Sequence, residues 1–112
     1  MTDAGYEFCP EAPGAPIRWE HTAIGKPIYV TESGIATHDD TRRIAFIDAA
    51  LEGVCACIAD GIAVRSYLYW SLLDNFEWTS GFRKHIGLVA VDLQTFRRTP
   101  KTQRSAPRRH LP

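Results

Sequence analysis

Cysteine is scarce, and its three copies, Cys9, Cys55 and Cys57, are spaced for neither a bridge nor a metal. An odd number without a Cys-x-x-Cys pair or a nearby histidine cluster excludes a structural zinc site. Cys55 and Cys57 are two apart in a segment of helical pattern and so face different directions, which leaves reduced thiols of a cytosolic protein as the simplest account. Long apolar runs are missing too, which excludes a membrane-crossing helix, and the polar, acidic start Met1-Thr2-Asp3-Ala4-Gly5 does not have the form of a signal peptide. A cytoplasmic location is therefore expected. Nor is there an excess of either charge: 13 Lys plus Arg balance 13 Asp plus Glu, which removes any general electrostatic case for nucleic acid or an anionic membrane as partner. Arg97, Arg98, Lys101, Arg104, Arg108 and Arg109 do gather in a final segment free of acidic residues, but no aromatic side chains interleave them for base stacking. A basic flexible tail over 102–112 is the expectation.

What is present suits a small globular unit. With 45% hydrophobic and 23% charged residues the chain falls outside the disordered and fibrous classes. Its 112 residues are too few for a closed barrel of eight strand-helix units, which takes about 250. Pro10, Pro13, Gly14 and Pro16 crowd the first 24 residues, which predicts loop there with a short helix around residues 17–22. Ile28 to Thr31 is a short β-branched and aromatic run that fits a buried strand, ended by Gly34. From Thr41 to Asp60 the period becomes helical, with Ile44, Ile47, Leu51, Val54 and Ile58 on one face, Asp39 or Asp40 as the cap and Gly61 as the stop. Val64 to Leu73 is apolar enough to be a parallel strand covered on both faces, and residues 86–92 form a further short extended segment. The order is strand, helix, strand, an α/β class.

Twice in this order a hydrophobic strand stops at an acidic residue. Pro27-Ile28-Tyr29-Val30 runs into Thr31-Glu32-Ser33-Gly34, and Trp70-Ser71-Leu72-Leu73 runs into Asp74-Asn75-Phe76-Glu77-Trp78. In parallel α/β architectures the carboxyl ends of strands carry the active site, because loops there project side chains over a rigid floor. Glu32 taken alone reads first as an exposed loop carboxylate. Glu77 beside Trp78, with Trp70 at the same strand's end, suits a sugar: the carboxylate accepts from hydroxyls and the indoles cover the C–H face of a pyranose ring. The alternative there is a structural aromatic cluster, with Asp74 and Asn75 capping a loop.

Several separated motifs together resemble family 1 glycoside hydrolases, the β-glucosidase and 6-phospho-β-glucosidase group. They are Thr31-Glu32-Ser33-Gly34-Ile35-Ala36, Asp39-Asp40 with Arg42, Asp60-Gly61, Trp70 through Trp78, Gly87-Leu88-Val89 with Val91-Asp92, and Arg98-Thr99-Pro100-Lys101. The resemblance covers residues 25–101 and implies a partial (β/α)8 TIM barrel, namely the seventh strand, its helix, the eighth strand and the closing segment. Residues 1–24 then become a degraded loop or helix before strand seven. It further implies retaining hydrolysis of β-D-glucosides, with Glu32 as the nucleophile and Trp70, Glu77 and Trp78 as substrate-binding residues. No metal or organic cofactor is implied. The loop Glu77-Trp78-Thr79 is similar to the glucosidase form rather than the phosphate-binding form, which carries Ser with a following Lys and Tyr.

The departures are specific. Thr-Glu-Asn-Gly of the family is Thr-Glu-Ser-Gly here, and Arg-Phe-Gly-Leu is His85-Ile86-Gly87-Leu88, which removes an aromatic wall near the sugar. The family's acid/base glutamate lies in an Asn-Glu-Pro motif, and the chain contains none: its one asparagine, Asn75, precedes Phe76. The expected partners are a β-glucoside or glucose, and either the missing N-terminal part of the barrel or a second copy. The competing expectation is a catalytically inert relic, or a segment that completes a barrel with another chain.

Overall fold

The computed structural model describes residues 1–9 and 13–102; the basic tail lies outside these from residue 103 onward. Pro13 and Pro16 open a helix instead of preventing one. Helix α1 spans Gly14–Ile24, with Pro13 as its N-cap and Pro16 within its first turn. Backbone N–H groups in the first turn have no intrahelical partner, so a proline there sacrifices nothing and its fixed φ suits the helix. The helix is thus 11 residues long where loop with a short helix at 17–22 was expected. Gly25, in the left-handed conformation at φ 65°, ends it by donating to the His21 carbonyl.

Strand β1 (Ile28–Ser33) leads through residues 34–39 into helix α2 (Asp40–Ala59), and strand β2 (Val64–Tyr69) returns parallel to β1. Asp39 caps α2 by accepting from the Thr41 backbone N–H at 2.8 Å. The hydrogen bonds hold the Asp39 carboxyl below its usual range, with the Thr41 hydroxyl as the largest cause. The buried residues of α2 are Arg43, Ala50, Val54 and Cys57, so of the expected face Val54 turns inward while Ile58 is exposed. Apolar residues surround more than half of this helix, so the side turned inward is chosen by contact with the strands. Ile17, Val54, Cys57 and Ile62 form the core, and Ile28, Val30, Val64 and Tyr67 pack against it. Gly14 and Gly53 let α1 and α2 touch backbone to backbone, and the Cys57 thiol donates to the Gly14 carbonyl at 3.6 Å. Cys55 and Cys57 are free thiols.

Beyond Tyr69 the backbone leaves regular strand geometry, so β2 is shorter than the expected run to Leu73. Leu73 still forms a parallel bridge to Val89, the first residue of β3 (Val89–Val91). A further strand, β4 (Arg98–Pro100), unforeseen in the sequence, pairs antiparallel with β3. Asp92 accepts from the backbone N–H groups of Gln94 and Thr95 and so organises the turn between them.

The β1–β2 sheet carries α2, flanked by α1, on one face only. The expectation that β2 is covered on both faces is therefore not met among the described residues: Tyr29 is 62% exposed, Leu68 55% and Leu72 61%. Parallel strands ordinarily have both faces buried. No helix of the described residues is long and apolar enough to cross a membrane.

Candidate active site

The carboxyl ends of β1 and β2 open into one cleft of about 1050 Å³, and the structure brings Glu32, Trp70, Glu77 and Trp78 together on its walls. Glu32 is the fifth residue of β1 and is exposed to the cleft. Its position depends on an irregularity. Val30 pairs with Tyr67 and Ser33 with Tyr69, so three steps along β1 match two along β2, and Thr31 and Glu32 together oppose Leu68 alone. This is a β-bulge, which bends its strand and re-aims the side chains it carries.

Trp70 follows β2 directly, and its backbone N–H donates to the Ser33 carbonyl at 2.8 Å, tying the two strand ends together. The Trp70–Ser71 peptide is cis. Gly34 is needed beside it, because a β-carbon there would fall on the Trp70 carbonyl oxygen well inside van der Waals contact.

Glu77 and Trp78 sit on a tight loop that includes a 3-10 turn over Trp78–Ser80. The Glu77 N–H donates to the Gly81 carbonyl at 2.7 Å, and the Ser80 N–H returns to the Glu77 carbonyl at 2.8 Å. Phe76 and Phe82 meet edge to face across the loop, 5.4 Å between centroids. Trp78 adopts φ 41°, in a region that favours glycine, and presents an indole that is 82% exposed.

Below the loop Asp74 is the hub. Its carboxylate accepts from the Lys101 ammonium and from the Gly87 N–H, each at 2.8 Å, and lies 3.4 Å from His85 Nδ1. Lys101 also donates to the Gly87 carbonyl at 2.8 Å. Burial lowers the Lys101 pKa, and its hydrogen bond to Asp74 opposes the shift only in part. Asn75 donates to the Ser71 hydroxyl at 3.1 Å. Asp74 and Asn75 are thus structural supports of the loop.

Arg43, fully buried on α2, joins this framework to the end of β1: it pairs with Asp40 and donates to the carbonyls of Thr37 and, at 2.8 Å, His85. Asp40 balances Arg43 and Asp74 balances Lys101, so the small cavity of about 270 Å³ among Thr37, His38, Asp40, Arg43, His85 and Lys101 has no net attraction for a charged ligand.

Part of the cleft wall was not foreseen. Tyr6, Glu7 and Phe8 line it, carried by a segment held at several points. The Asp3 N–H donates to the Ala36 carbonyl at 3.0 Å, Asp3 pairs with His38, the Lys84 ammonium donates to the Asp3 carbonyl, and the Arg42 guanidinium donates to the Met1 carbonyl at 2.9 Å. Arg42 also covers the Phe8 ring at 4.9 Å. Burial pushes the Asp3 carboxyl up, but its hydrogen bonds from His38 and the charges of His38 and Lys84 outweigh that and leave it below the usual range. The aromatic alternation Tyr6, Phe8 was the sequence signal for this wall. Among the described residues no group of three or more His, Cys, Asp or Glu is placed to hold a metal ion.

Comparison with known proteins completes the description. The family model for Glycosyl hydrolase family 1 matches residues 2–107, beyond both ends of the 25–101 stretch on which the sequence resemblance rests. A β-galactosidase of Pyrococcus woesei is 40% identical over 101 residues, which is 90% of this chain and 20% of the relative. The apo structure of a β-glucosidase designated 1317 superposes with a TM-score of 0.87 at 56% identity, covering 90% of this chain and 25% of that one. A β-glycosidase from Pyrococcus horikoshii gives 0.88 at 43% identity, covering 92% and 24%. The chain thus spans about a fifth to a quarter of the length of the relatives it matches.

Proposed function

The chain belongs to glycosyl hydrolase family 1, and from that premise we propose that it carries the nucleophile half of a retaining β-glucosidase site acting on unphosphorylated β-D-glucosides. In this proposal β1, α2 and β2 are the seventh strand, its helix and the eighth strand of a (β/α)8 barrel. Glu32 attacks the anomeric carbon as a carboxylate; the C1–O bond to the aglycone breaks, and an ester joins C1 to Glu32. Water then attacks C1, the ester bond breaks, and Glu32 is restored as a carboxylate with the β configuration retained. Glu77 accepts from glycone hydroxyls, Trp78 assists it, and Trp70 gives the ring a flat platform.

One observation carries the proposal: Glu32, Trp70, Glu77 and Trp78, from two strand ends 38 residues or more apart in sequence, line the same cleft. The names of the relatives include β-galactosidase and β-glucosidase. The Glu77-Trp78-Thr79 loop favours an unphosphorylated sugar for this chain.

No Asn-Glu-Pro motif is present to supply the acid/base group. Without it the first step needs an aglycone that leaves unprotonated. The test is release of dinitrophenolate from 2,4-dinitrophenyl β-D-glucoside by the purified chain. Release above the spontaneous rate, and faster than from the matching galactoside, is expected; release at the spontaneous rate would overturn the proposal for the chain by itself.

A second reading is favoured by the exposed Tyr29, Leu68 and Leu72: a segment whose open sheet face is covered by the remaining units of a barrel, or by a second copy. Mixing the chain with a family 1 fragment that bears Asn-Glu-Pro should then raise hydrolysis of a poor-leaving-group glucoside by about 10² to 10⁴, the contribution of general acid help. A rate equal to the sum of the separate fragments would reject completion by such a fragment.

A further inference from the structure

The bulge that aims Glu32 is held from below by one side-chain hydrogen bond. Tyr67, half-buried on β2, donates its hydroxyl to Ser33 Oγ at 3.0 Å. Tyr67 pairs in register with Val30 and Tyr69 with Ser33, so the bond crosses the two-against-one step that holds Thr31 and Glu32. Ser33 is bonded to the other strand a second time through its carbonyl, which accepts from the Trp70 N–H at 2.8 Å. A bulge in a two-stranded sheet can slide by one residue, and such a slip would turn Glu32 to the opposite face. The backbone bond from Trp70 is available to any residue at position 33. The Tyr67 bond requires a side-chain acceptor oxygen at position 33, which the Ser33 hydroxyl supplies where the family pattern has asparagine. Burial raises the Tyr67 pKa, and the bond to Ser33 opposes that shift, so the phenol stays protonated through the neutral range and remains a donor.

We propose that Tyr67 is a positioning residue for Glu32, acting through the Ser33 hydroxyl to fix the register of the bulge. The inference rests on the role assigned to Glu32 above. It makes Ser33 more than a substitute for asparagine: the pair Tyr67 and Ser33 replaces whatever contact the amide would make.

The test uses the whole chain with 2,4-dinitrophenyl 2-deoxy-2-fluoro-β-D-glucoside. Glu32 forms its ester to C1, dinitrophenolate leaves with the bonding electrons, and the fluorine slows hydrolysis so that the adduct accumulates and is counted by intact mass. Tyr67→Phe and Ser33→Ala are each expected to slow adduct formation about tenfold, well short of the roughly hundredfold that a 1 Å misplacement can cost. The double variant is expected to be no slower than either single one, and Ser33→Thr, which keeps a hydroxyl, to retain the original rate. Unchanged rates in Tyr67→Phe, or losses that multiply in the double variant, would overturn the proposal.

A second measurement separates this claim from the one beneath it. In the ¹⁵N-labelled chain the amide signals of Thr31 and Glu32 should shift in Tyr67→Phe while those of α2 stay in place. If the unaltered chain forms no adduct, the nucleophile assignment fails, and these amides alone decide the positioning: no shift at Thr31 and Glu32 rejects it.

Discussion

Glu32→Gln is expected to lower release of dinitrophenolate from an activated β-glucoside by about 10⁴ or more, to the spontaneous rate. Glutamine has nearly the shape of glutamate, and Glu32 is exposed on the cleft wall, so the substitution leaves the fold and the proposed sugar-binding groups Trp70, Glu77 and Trp78 intact. What it removes is the negative charge that bonds to C1. An amide oxygen is too weak a nucleophile, and the ester cannot form. The strongest form of the experiment is Glu32→Gly with added azide. A small anion placed in the vacated volume attacks C1 directly from the same face, so the product is an α-glycosyl azide, inverted relative to the substrate. Rescue with that stereochemistry identifies a nucleophile, whereas a supporting carboxylate would give none. Full activity in Glu32→Gln would return Glu32 to the status of an ordinary strand-end carboxylate.

Arg43→Met should cost about 3 kcal/mol of stability, read as a shift of the urea unfolding midpoint. The guanidinium has no exposed surface, and it satisfies three acceptors from different parts of the chain: Asp40, the Thr37 carbonyl and the His85 carbonyl. Methionine fills the volume of the stem but removes the guanidinium donors: the Thr37 carbonyl loses its partner, whereas the His85 carbonyl keeps the Thr37 N–H at 3.1 Å and the Asp40 carboxylate keeps the Thr102 N–H at 3.0 Å. The Asp40 side chain keeps 26% of its exposure, so water recovers part of its loss, while the two carbonyls are less easily reached. Lysine should not restore stability, because a single ammonium cannot reproduce the planar fork that spans separate acceptors. A midpoint shift worth less than about 1 kcal/mol would show that an apolar side chain serves equally well, as it does in some buried ion pairs.

Arg43 also marks the boundary of what could be read from the sequence. The strand-helix-strand order was legible because residues 28–31 and 64–69 are short β-branched or aromatic runs while 40–59 follow a helical period. Which face of α2 turns inward was not legible. The period places Ile44, Ile47, Leu51, Val54 and Ile58 on one stripe, and the core took Val54 from it together with Ala50 and Cys57 while leaving Ile58 exposed. A charged residue in the most buried position looks wrong to any count of hydrophobic periodicity; only the acceptors gathered around it, up to 42 residues away, make it possible. The prolines before β1 misled for a different reason, since their effect depends on whether they fall in a helix's first turn or its middle. Glu32, Trp70, Glu77 and Trp78 could be picked out as candidates because each stands where an apolar run ends. The wall formed by Tyr6, Glu7 and Phe8 carried only the weak signal of its aromatic alternation, because it is joined to the rest by contacts to His38, Arg42 and Lys84, more than 30 residues away in sequence.

The placement of the indoles has an optical consequence. The chain holds three tryptophans, and each is substantially exposed: Trp19 at 69%, Trp70 at 46% and Trp78 at 82%. Intrinsic emission should accordingly be red-shifted and open to quenching by iodide, even in the folded chain. Trp70 and Trp78 line the cleft, whereas Trp19 on α1 does not. A ring seated in the cleft would therefore move two of the three emitters toward the blue and shield them from quencher, leaving the third as a constant background. The protein carries its own reporter of occupancy, with no label added.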